Sequence, residues 1–398
     1  MTTSNRLTYC QFLDAIYART RVGEKFDLDG PKALEKAIGH PLQTYPSILV
    51  GGTNGKGSTC AFLEVLLREQ GLKTGLFTSP HLISFTERIR ISGMPIDPDW
   101  LTRDGLEILR IGERLGASFF ETTWALAARA FQDFKVDVAI WEVGLGGRLD
   151  ATNVAQPVAS GISSIGLDHV HVLGDTLTAI AREKAAIFRM DRPAFTSATG
   201  AGLTALLEVA PPHLQVVQPT DDIPDLPLAG AHQRQNAALA LALARRFSPA
   251  VQGPSLTKAK WPARVERLQN FILDCAHNPS AIQALGRWLA TQSLGPVDVV
   301  FGSMQGKDVA AMAKNIEAWA SRVTVVAPQY PRRLDPAEIA PRFTTRPVRI
   351  IPQVADALTA SDPDRLTVIC GSGFLAGEAR AILVGATYPE CGLVTTAR

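Results

Sequence analysis

Short apolar runs alternate with amphipathic stretches along this chain, and this alternation predicts its secondary structure. Ser47 to Val50 and Val136 to Val143 are dominated by apolar residues, which predicts strands, the second of them buried on both faces. Ser58 to Gln70 has the spacing of a helix, and Gly71 stands where helices commonly end on glycine. The order of strands and helices predicts an α/β fold with a mostly parallel sheet.

The same alternation resumes in the second half of the chain, after a break at Ser248 to Pro262 that contains prolines and glycine. The later strands are predicted at Phe271–Asp274, Val297–Phe301, Val323–Ala327 and Thr367–Cys370. An earlier stretch, Pro211 to Pro227, is rich in proline and acidic residues and is either an interdomain linker or a surface loop. Because the predicted helix Ala231 to Arg246 looks attached to the first part, we predict domains over residues 1–252 and 253–398.

Composition and charge narrow the class of protein. The chain has 398 residues, of which 46% are hydrophobic, and a formal net charge of +2. This balance excludes a disordered or collagen-like chain and gives no broad electrostatic reason to bind nucleic acid or a membrane surface. Met1 to Thr20 lacks the apolar core of a signal peptide, and no apolar run approaches the roughly 18 residues of a membrane helix. The cysteines have no C-x-x-C spacing, so we expect reduced thiols, no zinc site and a cytoplasmic location.

A glycine-rich segment between the first strand and the first helix has the arrangement of a phosphate-binding loop. It consists of Gly51, Gly52, Thr53, Asn54, Gly55, Lys56, Gly57 and Ser58. Glycines let backbone N–H groups turn towards phosphate oxygens, and the following helix adds its positive N-terminal end. Lys56 would reach the β- and γ-phosphates and the Ser58 hydroxyl would ligate Mg²⁺, although Gly57 separates them where the generic pattern has no residue. The alternative is a glycine turn with an incidental lysine, which the agreement of strand, loop and helix disfavours.

Charged residues follow the second predicted strand at its carboxyl end, where open α/β sheets bind ligands. Glu142 stands near this end, and a carboxylate beside a phosphate loop is a natural Mg²⁺ ligand. Arg148 and Asp150 place further charges at the same rim. A strand that ends in a solvated glutamate is the alternative interpretation.

Lys184 is the one charge in the apolar stripe of a predicted helix that Asp175 or Thr176 would cap and that extends to Phe188. A buried lysine must pair or lose its proton, and a neutral amine reacts with carbon dioxide to give a carbamate, an anionic ligand for a second Mg²⁺. On the pattern alone, a lysine whose stem packs inward while its head reaches solvent is the favoured interpretation. Upstream, His169 is a candidate metal ligand or phosphate contact.

The segment Phe271 to Ser280 repeats the strand-to-helix arrangement. Asn278 would cap a helix that begins at Pro279, which leaves Asp274 and His277 at the rim of the strand. Asp274 would accept hydrogen bonds from a ribose, and His277 would contact phosphate or an acidic substrate. Alternatively, both side chains only stabilise their loop.

Further polar residues are candidates for the same site. Gln233 and Asn236 fall on one helix face, where they would read adenine edges or else mark a solvated surface. Arg264 precedes a strand and would reach back across the domain cleft. Ser372, in the turn Cys370–Gly373 after the last predicted strand, would contact substrate.

A set of motifs follows one fixed order along the chain. They are residues 52–58, Thr78–Leu82, Phe119–Thr123, Glu142–Asn153, Ser164–His169, Gly174–Leu177 with Glu183–Ala185, His232–Gln233 with Asn236–Ala237, Ile272–Asp274 with Ala276–Pro279, and Cys370–Ser372 with Gly377–Glu378. This ordered set resembles the folylpolyglutamate synthase/dihydrofolate synthase family of the Mur ligase superfamily. The phosphate loop alone would be moderate evidence, whereas the ordered set is very specific.

The resemblance implies a Mur-ligase-like fold, with an N-terminal P-loop ATPase domain, a smaller C-terminal Rossmann-like α/β domain and the site between them. It implies ATP-dependent ligation of L-glutamate to dihydropteroate and to the glutamate chains of folate. ATP would phosphorylate a carboxylate, and the glutamate amine would attack the acyl phosphate. The expected partners are these small molecules with ATP and two Mg²⁺ ions, and the expected state is a monomer without nucleic acid or membrane.

The resemblance also implies roles for residues at motif positions. The expected metal ligands are Ser58, Glu142, His169 and Lys184 as a carbamate, which reverses the preference drawn from the pattern. The expected nucleotide contacts are residues 52–58, Asn236, Arg264 and Asp274. The expected catalytic residues are Lys56, Lys184 and His277. The expected contacts with acceptor or glutamate are Ser79, His81, Phe120, Thr122, Arg148, Asp150 and Ser372.

Three positions depart from the family pattern: Cys275, Ala263 and Ala186 stand where glycine is usual or common. Because glycine reaches backbone conformations that other residues disfavour, these departures bear on local geometry and not on the chemistry.

Other functions stay open beside the bifunctional one. A folylpolyglutamate synthase that lacks the dihydropteroate activity would use the same residues, because acceptor preference depends on loops. A UDP-muramoyl Mur ligase shares the chemistry, but we see no added UDP-binding domain before Ser47. An inactive ATP-binding regulator is disfavoured by intact Lys56, Glu142 and Lys184.

Overall fold

The computed structural model of the chain describes residues 7–22, 27–295, 297–388 and 390. The helices within these residues are α1 (Tyr9–Ala18), α2 (Asp29–Ala37), α3 (Lys56–Arg68), α4 (Pro98–Arg103), α5 (Gly105–Arg114), α6 (Phe119–Asp133), α7 (Val170–Leu173), α8 (Leu177–Ala185), α9 (Gly200–Leu207), α10 (Ala231–Phe247), α11 (Pro279–Thr291), α12 (Val309–Glu317), α13 (Pro336–Ile339), α14 (Val354–Thr359) and α15 (Gly373–Val384). The strands are β1 (Ser47–Gly51), β2 (Thr74–Phe77), β3 (Ile89–Ile91), β4 (Met94–Pro95), β5 (Val138–Glu142), β6 (Ala159–Ile162), β7 (Ala194–Thr196), β8 (Gln215–Val216), β9 (Glu266–Leu268), β10 (Phe271–Leu273), β11 (Val297–Phe301), β12 (Ala320–Val325), β13 (Val348–Ile350) and β14 (Thr367–Cys370). They form one eight-stranded and one six-stranded sheet, so the predicted α/β class is confirmed.

The first sheet has β1 in its interior. Its order is β4-β3-β2-β5-β1-β6-β7-β8, parallel from β2 to β8, with β3 and β4 antiparallel at one edge. β1 pairs with β5 on one side and with β6 on the other. The chain adds strands first on one side of β1 and then on the other, and ligands of α/β sheets bind beyond the carboxyl ends at such a reversal. β1 and β5 confirm the two strands predicted in the first half.

Side chains of β1 alternate between two cores, which is why this strand is buried on both faces. Leu49 packs in the core that contains Trp124 of α6. Ile48 and Val50 pack on the opposite face, in a core to which α3 and α10 contribute. The loop that follows β1 is therefore anchored between two packed layers.

The second sheet has the order β13-β12-β11-β14-β10-β9, parallel except for β9 at one edge. Its strands confirm those predicted after the break, although β12 begins at Ala320 and ends at Val325, earlier than predicted. The Asn278 side chain accepts a hydrogen bond from the Ala281 N–H at 2.9 Å, so it caps α11 as the sequence predicts.

The two predicted breaks differ in the structure. The stretch Pro211 to Pro227 contains β8, which pairs with β7, so it is part of the first domain and not a linker. The second break contains a 3₁₀ turn at Gly253–Lys258, and its Leu256 packs in the core of α3 and α10. Val265 is buried in the core of the second sheet. The division between residues 252 and 253 stays a prediction.

The cysteines are only partly as expected. Cys60, Cys275 and Cys370 are free thiols. Cys10 is disulfide-bonded, which corrects the expectation of reduced thiols at this position. Cys391 lies outside the described residues. In the described part of the chain no helix has the length and apolarity needed to cross a membrane.

We expect Leu49→Ala to lower the free energy of unfolding by about 2–5 kcal/mol, because Leu49 is 0% exposed and its removal leaves a cavity. Leu207→Ala is the matched control, because Leu207 is 53% exposed and its loss should change stability by no more than about 0.5 kcal/mol. Urea unfolding followed by circular dichroism measures both. Equal midpoints for the two variants would contradict the packing of β1 described above.

Candidate active site

A cleft of about 640 Å³ lies between the domains. Residues that follow β1, β2, β5 and β6 form one wall, and the turns after β10 and β14 form the other. The predicted site residues that line it are Gly52, Thr53, Asn54, Gly55, Lys56, Gly57, Ser58, Ser79, His81, Glu142, His169, Lys184, Asn236, Arg264, Asp274, His277 and Ser372. The predicted residues outside this lining are Phe120, Thr122, Arg148 and Asp150.

Asp150 holds the loop after β5 together. One carboxylate oxygen accepts hydrogen bonds from the N–H groups of Gly144 and Leu145, at 3.0 and 2.9 Å. Phe120 packs on the same loop, and a Cβ at Gly144 would lie 2.6 Å from its ring. Both side chains are thus occupied in shaping a wall of the cleft, and their contact with an acceptor stays a prediction.

Arg148 and Thr122 are also engaged within the first domain. The Arg148 guanidinium lies 3.0 Å from the Glu183 carboxylate, and 54% of the arginine side chain is exposed. The Thr122 hydroxyl donates to the Ser118 carbonyl at 2.8 Å and is fully buried in the first turns of α6. Their assignment to substrate binding is likewise untested by this geometry.

The loop after β1 requires glycine at two positions. Gly52 has φ +144° and Gly55 has φ +86°, conformations that side chains disfavour. A Cβ at Gly52 would lie 2.1 Å from Ser163 Oγ, and one at Gly55 would lie 2.3 Å from Asn236 Oδ1. The loop therefore fits closely between the residue that follows β6 and α10, which leaves no room for a side chain at either glycine.

Two lysines converge on this loop. Lys56 begins α3, and its ammonium donates to the carbonyl oxygens of Gly52 and Thr53 at 3.1 and 3.3 Å. Lys184 on α8 also donates to the Gly52 carbonyl, at 3.1 Å. One backbone oxygen thus accepts from both lysines, which brings the two amines close together beneath the loop.

The Lys184 amine is buried, and only 5% of the residue is exposed. The interpretation that its head reaches solvent is therefore wrong, because α8 packs beneath the loop. Burial lowers the pKa of Lys184 to about 7, and the charge of Lys56 acts in the same direction. A substantial part of this amine is therefore uncharged at neutral pH.

Glu142 ends β5 beside the loop. It is 5% exposed, and its carboxylate accepts a hydrogen bond from the Ser79 N–H at 2.9 Å. Burial raises the pKa of Glu142, while the charge of Lys56 and the Ser79 hydrogen bond oppose this rise. The result is a buried acid close to a cation but without a direct ion pair to it among the described residues.

His169 and Asp168 lie in the turn before α7. Burial lowers the pKa of His169 to about 4 although the charge of Asp168 opposes this, so the ring is neutral at pH 7 and its nitrogen can bind a metal. Burial would raise the pKa of Asp168, but His277 and Lys307 of the second domain hold it well below its usual range. Asp168 and Lys307 were missed by the sequence analysis, although both follow strands and line the cleft.

The nucleotide candidates line the cleft from both domains. Asn236 donates through its amide to the Gln233 side chain at 2.9 Å, so the two residues share one face of α10 as predicted. Asp274 accepts hydrogen bonds from the N–H groups of Val265 and Ala276, at 2.9 and 2.8 Å. These bonds show the loop-stabilising role that the sequence left open and do not test the ribose contact.

Two further candidates are constrained by their own loops. The Ser372 hydroxyl caps α15 by accepting from the Phe374 N–H at 3.1 Å. His81 accepts from the Arg88 guanidinium at 2.8 Å, and burial lowers the pKa of His81 well below its usual value. Arg88 is only 6% exposed. The sequence analysis did not identify it as a partner of His81, because nothing in its local pattern indicates burial.

The departures from glycine differ in their local effect. Ala263 has φ +53°, in the left-handed region where glycine is favoured, so this departure strains the backbone. Ala186 has φ −64°, which any residue adopts.

In the described part of the chain, no group of three or more His, Cys, Asp or Glu side chains is placed to hold a metal ion. The predicted ligand set is of a different kind, because it includes a serine and a lysine.

Comparison with known sequences identifies one family model, the Mur ligase glutamate ligase domain, which matches residues 263–373. A dihydrofolate synthase/folylpolyglutamate synthase of Bacillus subtilis is 34% identical over 363 residues, 80% of this chain and 84% of that protein. A folylpolyglutamate synthase of Lacticaseibacillus casei is 33% identical over 427 residues, 95% of this chain and 99% of that protein. A probable bifunctional folylpolyglutamate synthase/dihydropteroate synthase of Haloferax volcanii is 32% identical, and the chain spans 51% of its length.

Solved structures resemble the whole fold. Mycobacterium tuberculosis folylpolyglutamate synthase complexed with ADP and AMPPCP has a TM-score of 0.82 at 32% identity and covers 93% of this chain and 99% of its own. E. coli FolC in complex with DHPP and ADP has a TM-score of 0.84 at 26% identity, and the match covers 96% of this chain and 99% of that protein. A bifunctional folylpolyglutamate synthase/dihydrofolate synthase with Mn, AMPPNP and L-glutamate bound has a TM-score of 0.79 at 28% identity. This match covers 92% of this chain and 96% of that protein.

Gly52→Ala should weaken the binding of ATP with Mg²⁺ at least about tenfold, or about 1.4 kcal/mol, because the new Cβ collides with Ser163. Gly71→Ala is the matched control, since Gly71 has φ +78° but no atom lies within 4 Å of a Cβ built there. Isothermal titration calorimetry measures both affinities, with circular dichroism to verify folding. Unchanged affinity in folded Gly52→Ala protein would show that the loop does not bind the nucleotide.

Proposed function

The chain belongs to the folylpolyglutamate synthase/dihydrofolate synthase family of the Mur ligase superfamily, and we propose that it ligates L-glutamate to dihydropteroate and to the glutamate chains of tetrahydrofolate at the expense of ATP. One observation carries this proposal. The loop after β1, with Glu142 and Lys184, shares a single cleft with His277 of the second domain. Relatives bound to ADP, an ATP analogue, DHPP or L-glutamate support each substrate class.

The phosphates of ATP would bind in the loop of residues 52–58. Its glycine conformations leave backbone N–H groups free to face anionic oxygens, and the N-terminus of α3 adds its partial positive charge. Lys56 would exchange its carbonyl partners for phosphate oxygens and stabilise the charge that develops there. Asn236, Arg264 and Asp274 would contact the nucleoside from the sides of the cleft.

The residues around Lys56 fit a divalent metal. Ser58 and Glu142 offer buried oxygens, and His169 offers a neutral ring nitrogen, which is a donor set that suits Mg²⁺ or Mn²⁺. Bound there, the metal would neutralise phosphate charge as a Lewis acid. A relative with Mn bound supports this use of the cleft.

Lys184 would supply a second anionic ligand as a carbamate. Its uncharged amine attacks the carbon of CO₂, an N–C bond forms, and one proton leaves to solvent. The lowered pKa makes this reaction accessible at neutral pH, and the neighbouring Lys56 charge stabilises the anionic product. The carbamate would be held at the Gly52 end of the cleft, where the amine lies.

Ligation would proceed in two steps. An oxygen of the acceptor carboxylate attacks the γ-phosphorus, and ADP leaves. The amine of glutamate then attacks the carbonyl carbon of the acyl phosphate, inorganic phosphate leaves with the carboxylate oxygen, and one proton is released. Closure of the two domains over the cleft would keep water from the acyl phosphate, and His277 and Ser372 would receive the incoming glutamate.

Acceptor range and cellular context are further proposals. A monofunctional folylpolyglutamate synthase is the second candidate, because relatives carry both names. A monomer that acts in the cytoplasm on small molecules is in keeping with the near-neutral net charge.

An ADP-release assay separates these functions. With dihydropteroate or tetrahydrofolate as acceptor, ADP release should require added glutamate in both cases. Glutamate-dependent ADP release with tetrahydrofolate but not with dihydropteroate would identify a monofunctional folylpolyglutamate synthase. No glutamate-dependent release with either acceptor would contradict the proposal, and a UDP-muramoyl acceptor is the natural next substrate to test.

Lys184→Ala should lower kcat at least about 100-fold, because a ligand to the charge-neutralising metal is lost. Added short-chain carboxylic acids should restore part of the rate by occupying the space of the missing carbamate. Lys314→Ala is the control and should keep full activity, because Lys314 is an exposed residue on α12. Unchanged turnover in Lys184→Ala would rule out the carbamate role.

A further inference from the structure

Asp168 is the point at which the first domain is held by the second. Its carboxylate accepts a hydrogen bond from the Lys307 ammonium at 2.7 Å and another from the Asn278 amide at 3.0 Å. His277 Nε2 lies 3.4 Å from the same carboxylate. Asp168 follows β6 of the first sheet, whereas all three partners follow strands of the second sheet.

Asn278 extends this contact to the phosphate loop. Its amide N–H also donates to Asn54 Oδ1 at 2.9 Å, and Asn54 donates back to Asn278 and to Ser280 at 3.3 and 3.0 Å. At the same time Asn278 caps α11. A single side chain therefore fixes the start of α11 against both Asp168 and the loop.

The ion pair is shielded from solvent, with side-chain exposures of 14% for Lys307 and 9% for Asp168. Removing one partner of such a pair leaves a buried charge uncompensated, whereas opening the domains would hydrate both charges. The pair thus stabilises the closed arrangement only while both partners are present. It also lies beside His169, whose ring nitrogen is 3.4 Å from the Lys307 ammonium.

We propose that Asp168 and Lys307 are positioning residues that clamp the two domains over the phosphate loop while the acyl phosphate exists. The link to the acyl phosphate rests on the proposed function, whereas the clamp itself rests on the contacts above. Loss of the clamp would let water enter the cleft, so the acyl phosphate would hydrolyse before glutamate attacks. ATP would then be consumed without ligation.

The test compares Lys307→Met and Asp168→Asn with wild-type protein. The readouts are the ratio of ADP released to glutamate incorporated and the radius of gyration from small-angle X-ray scattering with ATP bound. In wild type the ratio should be close to one. In both variants it should rise at least about threefold, because water competes for the acyl phosphate, and the radius of gyration should increase.

Asp298→Asn is the matched control. Asp298 is also a largely buried acid, with side-chain exposure of 12%, but it pairs with Arg322 and Arg365 inside the second domain. A merely structural loss lowers both rates together and leaves the ratio at one, which is the result expected for this control. The double variant Asp168→Asn/Lys307→Met should be no worse than either single variant, because no charge is left unpaired.

An unchanged ratio or an unchanged radius of gyration in the two single variants would overturn the clamp. Wild-type protein without acceptor-dependent ADP release would instead refute the proposed function. Even in that case, the radius of gyration tests whether Asp168 and Lys307 hold the domains closed, because this measurement requires only bound nucleotide.

Discussion

Parallel pairing of β1 with β5 and β6 brings three carboxyl ends to the same edge of one sheet. Through this pairing the loop after β1, Glu142 at the end of β5 and the turn that follows β6 become neighbours, although they are far apart in sequence. The second sheet directs the turns after β10 and β14 towards the same space. The cleft is therefore a consequence of strand direction, and the side chains that line it depend on this arrangement.

Under the proposed function, the charges in this cleft explain how a chain with net charge +2 would bind anionic substrates. Lys56 and Lys184 share the Gly52 carbonyl, and burial suppresses the charge of Lys184. Glu142 makes no direct ion pair with Lys56 among the described residues, so the charge of Lys56 is not neutralised by a contact with this carboxylate. Positive potential is thus available where phosphates would enter, while the molecule as a whole stays near neutrality.

The sequence predicted what short-range chemistry determines. Gly52 and Gly55 have the positive φ angles that the glycine-rich pattern predicts, so the turn after β1 could be located from the sequence. The environment of Lys184 could not be derived from its helix, because its partner Gly52 is 132 residues away. Asp168 and Lys307 were missed for the same reason, since 139 residues separate them. The hydrogen bonds from N–H groups of its own loop to the carboxylate of Asp150 were also not predicted, and its contact with an acceptor stays a prediction.

In the proposed reaction, phosphorylation activates the acceptor carboxylate in this cleft. Acceptor labelled with ¹⁸O in its carboxylate, ATP and glutamate would be turned over, and the released phosphate analysed by mass spectrometry. If the acyl phosphate forms, each phosphate released with a ligated product should carry one ¹⁸O atom. Unlabelled phosphate at full ligation would contradict it.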